Sequence, residues 1–458
     1  MNEHEPSGNE LSRRQAGGII AGTLLGAGLA AGLSSSVIAF GQQPGGKGGR
    51  PPAVAPKPAD PATAVPPPKS ILTGVLTAGN TRDWLLKPVV HVSSYQEDAS
   101  RTPQDRMPTI GNLTFKTAAV LFPVIRATAS SKTDIDRVKG ELTFNDRPID
   151  VKPDYNEAYH ASARFGRWEM KDQTGRECEL KLQIPMTCWQ TVFNERLASK
   201  AQWPDAGKWG KVGASTLGPQ LMVDQDAEDA AALRDLVKKW TEGKSPQSVP
   251  PLLLAKTFAA RMVEQFQTSG NGESFGKLGT FIGLDLQRPS RTIKSGRGSQ
   301  HDIAAVLLGA YRAAGLPARL VIGYDGSEQN GDSTVFDNNN GANSSLRSWV
   351  EFCLFDAATD TEVWVPVDVV KIRARSSRVG RLEDPWKYFG THEELDDVLP
   401  FAHHYLPPTT VISYGYAFWG WFTTPQSQIA SHFVRFTAST PSKRAATKPS
   451  KNEGKKPE

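Results

Sequence analysis

The chain has 458 residues, 38% of them hydrophobic, with 41 Gly, 33 Pro, 3 Cys and a formal net charge of +5. That length exceeds one ordinary domain and predicts two or three. Residues 41–70 and the tail from Pro441 carry net charges of +3 and +4, and residues 1–40 carry −1, so residues 71–440 sum to −1. A near-neutral body excludes nucleic-acid binding as the expected role.

The chain opens with Arg13-Arg14 ahead of a Gly/Ala/Leu-rich apolar segment from Gly17 to Phe40. This segment resembles a twin-arginine export signal, with Val37 and Ala39 as small residues for cleavage before Phe40. Its acidic front, Glu3, Glu5 and Glu10, argues against an ordinary secretory signal, whose first region is positive. The alternative is an uncleaved membrane anchor over residues 17–40, since a span needs about 20 apolar residues. Either reading of residues 1–40 places the body outside the cytoplasm, in the periplasm, at the cell surface or secreted. Residues 41–70 are a Pro/Gly/Ala linker with no apolar periodicity, expected to be extended.

Residues 71–217 favour strands: Val75 to Leu76, Val89 to Val92, Leu113 to Phe115, Ala118 to Ile125 and Leu142 to Phe144 are short β-type runs between turn residues. Glu179 to Ile184 alternates strictly and predicts a half-buried strand. Cys178 and Cys188 flank it, and a disulfide between them requires a bend, with Pro185 as its place, because an extended strand rises about 3.3 Å per residue. Two helices are predicted next, Asp226 to Glu242 and Pro250 to Thr268, with apolar residues at helical spacing. Gly298 to Arg319 then reads as a loop, a buried helix with Ile303, Leu307 and Tyr311 four apart, and a stop at Gly315 and Pro317. Leu320 to Ile322 follow as a buried strand. A long polar loop from Tyr324 to Leu346 leads to a hairpin of Trp349 to Phe355 and Val363 to Val367. The basic run Lys371, Arg373, Arg375, Arg378 and Arg381 comes next, and Thr409 to Phe436 is rich in aromatic, strand-forming residues.

The spacing Gly298, Asp302, Ala304, Arg312, Gly315, Pro317, Arg319, Gly323, Tyr324, followed by Arg347-Ser348-Trp349-Val350-Glu351 and Trp364-Val365-Pro366-Val367-Asp368, resembles the core of the transglutaminase-like superfamily. The resemblance implies a papain-like α+β core over residues 225–370 behind the β-sandwich-like domain at 71–217. A C-terminal β extension, 371–437, is expected to pack on that core, with a basic disordered tail at 438–458. The family carries a Cys-His-Asp triad. Matched residue by residue, Gln300 stands in the Cys position, Arg347 in the His position and Asp368 in the Asp position.

An amide has no accessible ionised form and a guanidinium stays protonated, so Gln300 and Arg347 supply neither nucleophile nor base. Ser299 has no base if taken as a shifted nucleophile, His301 neighbours Gln300 but points elsewhere on the helix, and Cys353 lies on a strand. His403 and His404 adjoin on a predicted strand and face opposite sides, so no metal site is expected, and no cofactor motif is present. The sequence therefore predicts an exported or tethered, non-catalytic module that binds or scaffolds a peptide or cell-envelope polymer. The alternative is an active transglutaminase or amidase-peptidase of the same superfamily. Arg347 and Asp368 are expected to form an ion pair that closes the old site, or else Arg347 and the helix N-terminus at Gln300 form an anion-binding cleft.

Overall fold

The computed structural model describes residues 69–94, 96–97, 108–109, 112–158, 163–275, 281–327, 346–406, 414–416, 418–424 and 430–440. The export segment, nearly all of the linker, the polar loop over 328–345 and the tail from Pro441 lie outside the described residues. Those described belong to one compact unit, Pro66–Glu458.

The first body is a β-sandwich. Its N-terminal strands are β1 (Leu76–Ser94), β2 (Leu113–Pro123), β3 (Lys139–Phe144), β4 (Ala163–Gly175) and β5 (Glu177–Phe193). The strict alternation in β5 puts Cys178, Leu180, Leu182, Ile184, Met186 and Cys188 inward, buried on one face. Pro185 makes no bend: it pairs with Leu85 within a continuous strand. Cys178 and Cys188 are consequently free thiols, ten residues apart on the same strand. The two sheets meet where Trp168 of β4 fills the space above Gly140 of β3, where an added Cβ would lie 2.7 Å from the indole nitrogen.

The second body begins with helices α1 (Ala227–Trp240) and α2 (Pro251–Gln265), which pack around α3 (Gln300–Ala313). Nearly every residue of α3 is buried, as expected of a helix apolar on all sides. Gly309 permits the approach of α1, since a Cβ there would meet Leu233 Cδ1 at 2.5 Å, and the Tyr311 hydroxyl donates to the Ala255 carbonyl of α2 at 2.9 Å. Beside α3 lies an antiparallel sheet of β6 (Ala318–Asp325), β7 (Leu346–Asp356), β8 (Thr361–Val367) and β9 (Val398–Ala402), in the order β8-β7-β6-β9. A short helix α4 (Val369–Arg375) follows β8.

Residues 371–437, expected as one extension on the core, divide between the two bodies. Val398–Ala402 completes the core sheet as β9, while β10 (Trp419–Thr424) and β11 (Ala430–Ser439) return to the sandwich. β10 pairs with β2 in one sheet and β11 with β1 in the other. The physical reason is the unsatisfied edges of β1 and β2, which need ladder partners, and the aromatic residues Trp421 and Phe436, which are buried there. The core is thus an insertion between strands of the sandwich. The sandwich's strand content extends to Ser439, past the expected start of the tail at residue 438. His403 and His404 lie just beyond β9, not on a strand, and both are buried.

Candidate functional site

The helix α3 begins at Gln300, three residues before its apolar stripe, because Ser299 and Asp302 form a reciprocal cap. Asp302 Oδ2 accepts from the Ser299 backbone N–H and hydroxyl, both at 2.8 Å, while Oδ1 accepts from the Gln287 N–H at 2.7 Å. This places Gln300 in the first turn. Its side-chain amide does not point free: Nε2 donates to the Leu346 carbonyl at 2.7 Å, the residue next to Arg347 on β7.

Arg347 sits opposite Gly323 in the β6–β7 ladder and is buried, with 6% of its side chain exposed. Its Nη2 lies 2.9 Å from Asp368 Oδ2, and Nη1 lies 3.2 Å from Glu394 Oε2 and 3.6 Å from Asp325 Oδ2. Asp368 caps α4 by accepting from the Lys371 N–H at 3.0 Å, and its own N–H donates to the Tyr388 carbonyl at 3.0 Å. Of the three matched positions, Arg347 and Asp368 are in direct contact and Gln300 is tied to the backbone beside them.

Sequence reasoning missed His392 and Glu394, which lie beyond the family motifs. They arrive on a strap held by the sandwich: the His392 N–H donates to the Thr191 carbonyl at 3.0 Å and the Thr191 N–H to the His392 carbonyl at 3.1 Å. Gly390 turns the strap with φ +74, and a Cβ there would overlap the Phe193 ring at 2.3 Å. The Thr191 hydroxyl donates to the Gly390 carbonyl at 2.7 Å. Nothing in local spacing announces such a contact, since Thr191 and Gly390 are distant in the chain.

His392 is fully buried between Arg347 and Asp368. A neutral imidazole has one acceptor nitrogen. Nδ1 faces the Glu394 N–H at 3.3 Å, while Nε2 lies 3.3 Å from Arg347 Nη2 and 3.6 Å from Asp368 Oδ2, so the neutral ring accepts from one of the two donors and not both. Burial holds the His392 pKa below the usual value, and the neighbouring Asp368 only partly offsets it. Burial pushes the Asp368 carboxyl upward, but His392 and Arg347 outweigh that and hold it well below the usual carboxylate range. Burial works against the Arg347 charge too, and Asp368 and Asp325 reverse the balance, so its pKa is raised. Arg347 and Asp368 are therefore both charged at neutral pH, and His392 is neutral.

A second His contact lies alongside. His301 Nδ1 is 2.7 Å from Ser348 Oγ, and both residues are buried. Burial alone drives the His301 pKa down to about 3, and its Nε2 has no hydrogen-bond partner among the described residues. An imidazole so weakly basic does not take a proton from a hydroxyl at neutral pH. Cys353 is buried on β7, where desolvation pushes its thiol well above the usual value. Elsewhere in the segment Arg319 and Glu351 form a buried pair at 2.7 Å, with the guanidinium over the Trp364 ring at 4.2 Å. Among the described residues no group of three or more His, Cys, Asp or Glu side chains is placed to hold a metal ion.

No curated protein matches the chain in sequence. Among solved structures, a protein assigned provisionally as a cysteine protease from Cytophaga hutchinsonii is similar at 10% identity and TM-score 0.46, covering 80% of this chain and 92% of that one. The periplasmic domain of TgpA from Pseudomonas aeruginosa is similar at 12% identity and TM-score 0.25, covering 64% and 90%. A protein assigned provisionally as a protease from Parabacteroides distasonis is similar at 10% identity and TM-score 0.21, covering 69% and 66%. The model of the transglutaminase-like superfamily matches residues 280–369, which contain α3, the β6–β7–β8 sheet and the positions Gln300, Arg347 and Asp368. The chain carries a transglutaminase-like superfamily domain in a mixed α+β fold.

Proposed function

We propose that this chain is a non-catalytic transglutaminase-like module, exported and either released or tethered by residues 17–40, that binds or scaffolds a peptide or polymer of the cell envelope. The observation that carries this reading is the pairing at the family's chemical positions. Arg347 stands where a base is needed and is held by Asp368, Glu394 and Asp325, while the Gln300 amide is committed to the Leu346 carbonyl. Acyl transfer needs a nucleophile, a base and a group that orients the base. Only the last has a counterpart, Asp368, and it is engaged by a permanent cation.

The anion-cleft alternative built on Gln300 has less support, because that amide is committed to the Leu346 carbonyl. Export and tethering rest on Arg13-Arg14, the apolar segment from Gly17 to Phe40 and the linker at 41–70. The test is to incubate the full chain with a glutamine-containing peptide and a labelled amine, following amine incorporation and peptide cleavage together. No turnover is expected. Turnover that Asp368→Ala abolishes overturns the proposal.

A further inference from the structure

Glu394 is bound as a ligand would be. Its Oε2 lies 2.7 Å from Lys371 Nζ and 3.2 Å from Arg347 Nη1, and its Oε1 accepts from the Tyr388 hydroxyl at 2.6 Å. Three donors from three elements, β7, α4 and the loop before the strap, converge on one carboxylate. Two of them, Arg347 and Tyr388, are buried, yet the carboxylate they hold is 37% exposed and Lys371 is 36% exposed. Arg347 and Tyr388 lie beneath the half-exposed carboxylate, and Lys371 is as exposed as Glu394 itself.

Tyr388 adds an independent sign. It adopts φ +67, which a bulky aromatic residue rarely does and which stores strain. The position is over-determined by backbone bonds, from the Asp368 N–H to the Tyr388 carbonyl at 3.0 Å and from the Tyr388 N–H to the Thr391 carbonyl at 2.8 Å. From that position the Tyr388 hydroxyl donates to Glu394. Burial pushes the Glu394 pKa up, but the bonds from Lys371 and Tyr388 and the charges of Lys371 and Arg347 outweigh that and bring it to about 2, so the carboxylate is ionised at any physiological pH.

We propose that Arg347, Lys371 and Tyr388 form a receptor for a carboxylate carried by a peptide, and that Glu394 is the internal carboxylate occupying it until one from outside displaces it. The receptor rests on the reading of this chain as a binding module and names the chemistry of its ligand. A carboxylate suits two cationic donors and one neutral donor better than a neutral amide, because charge-assisted bonds are about twice as strong. Asp368 and Asp325 remain on Arg347 when Glu394 leaves, so the guanidinium is never stranded without a counter-charge.

The experiment titrates the full chain and its Glu394→Ala variant with acetyl-alanyl-alanine and with the C-terminal amide of the same peptide. Removing the internal competitor should tighten binding of the acid by about ten-fold or more and leave the amide unaffected, and Lys371→Ala in the Glu394→Ala background should abolish the gain. Equal affinity for acid and amide, or an acid that binds Glu394→Ala no better than the parent chain, overturns the receptor. If Glu394→Ala does not fold, Glu394→Gln fills the same volume without the charge and carries the same expectation at smaller size; no gain there is equally decisive. The turnover assay is separate, so a catalytic chain without this receptor and a non-catalytic chain without it give different results.

Discussion

Arg347 is the residue on which the site turns. A guanidinium cannot do what an imidazole does, but it can bind three carboxylates at once, and here it does. The ion pair of Arg347 with Asp368 was legible because the segments around Trp349 and Pro366 set the two positions. His392 and Glu394 were not, because they reach the cluster through pairing with Thr191 of another body. The buried histidines define a further residue-scale consequence. Burial lowers His301 and His404 to about 3 and His432 to about 4, all below the unfolded value near 6.5. The unfolded chain therefore binds more protons, and stability that is complete above pH 6.5 falls as pH drops from 6.5 toward 3. At pH 5.5 each of the three should forfeit about 1.4 kcal/mol, roughly 4 kcal/mol together. Urea unfolding at pH 7.5 and 5.5 checks this, and a difference under about 1 kcal/mol contradicts it. Asp368 and Glu394, with depressed values, act in the same direction only at lower pH, where they begin to protonate.

At the scale of elements, the helix α3 and the hairpin β7–β8 were readable from periodicity and stop signals, and Ser299 with Asp302 moved the helix start only slightly. The destination of the C-terminal strands was not readable. Aromatic alternation predicts a strand and says nothing about which sheet accepts it, since a ladder partner is set by the edge left open elsewhere. β10 and β11 close both sheets of the sandwich and bury Trp419, Trp421 and Phe436. Ending the chain before Tyr414 should therefore destabilise the sandwich, although its own strands begin at Leu76. Each buried aromatic removed is worth about 3–5 kcal/mol. Near-ultraviolet circular dichroism on heating should show the sandwich transition lost or far lower, and an unchanged midpoint would exclude this role for the two strands.

For the whole molecule, the two bodies are coupled by order in the chain and by contact. The core is inserted between sandwich strands, and the sandwich in turn delivers the strap that completes the charge cluster around Arg347. Burying several charges together is favourable only when each is paired, and removing one partner strands the other. The site thus reads as a closed ionic cluster around Arg347. A double-mutant cycle on Arg347→Ala and Asp368→Ala, followed by equilibrium unfolding, tests that most directly. Each single change should destabilise by about 3–5 kcal/mol, and the double change should cost clearly less than their sum, since the second removal leaves no stranded charge. Single changes under about 0.5 kcal/mol, with strictly additive effects, would contradict the closed cluster.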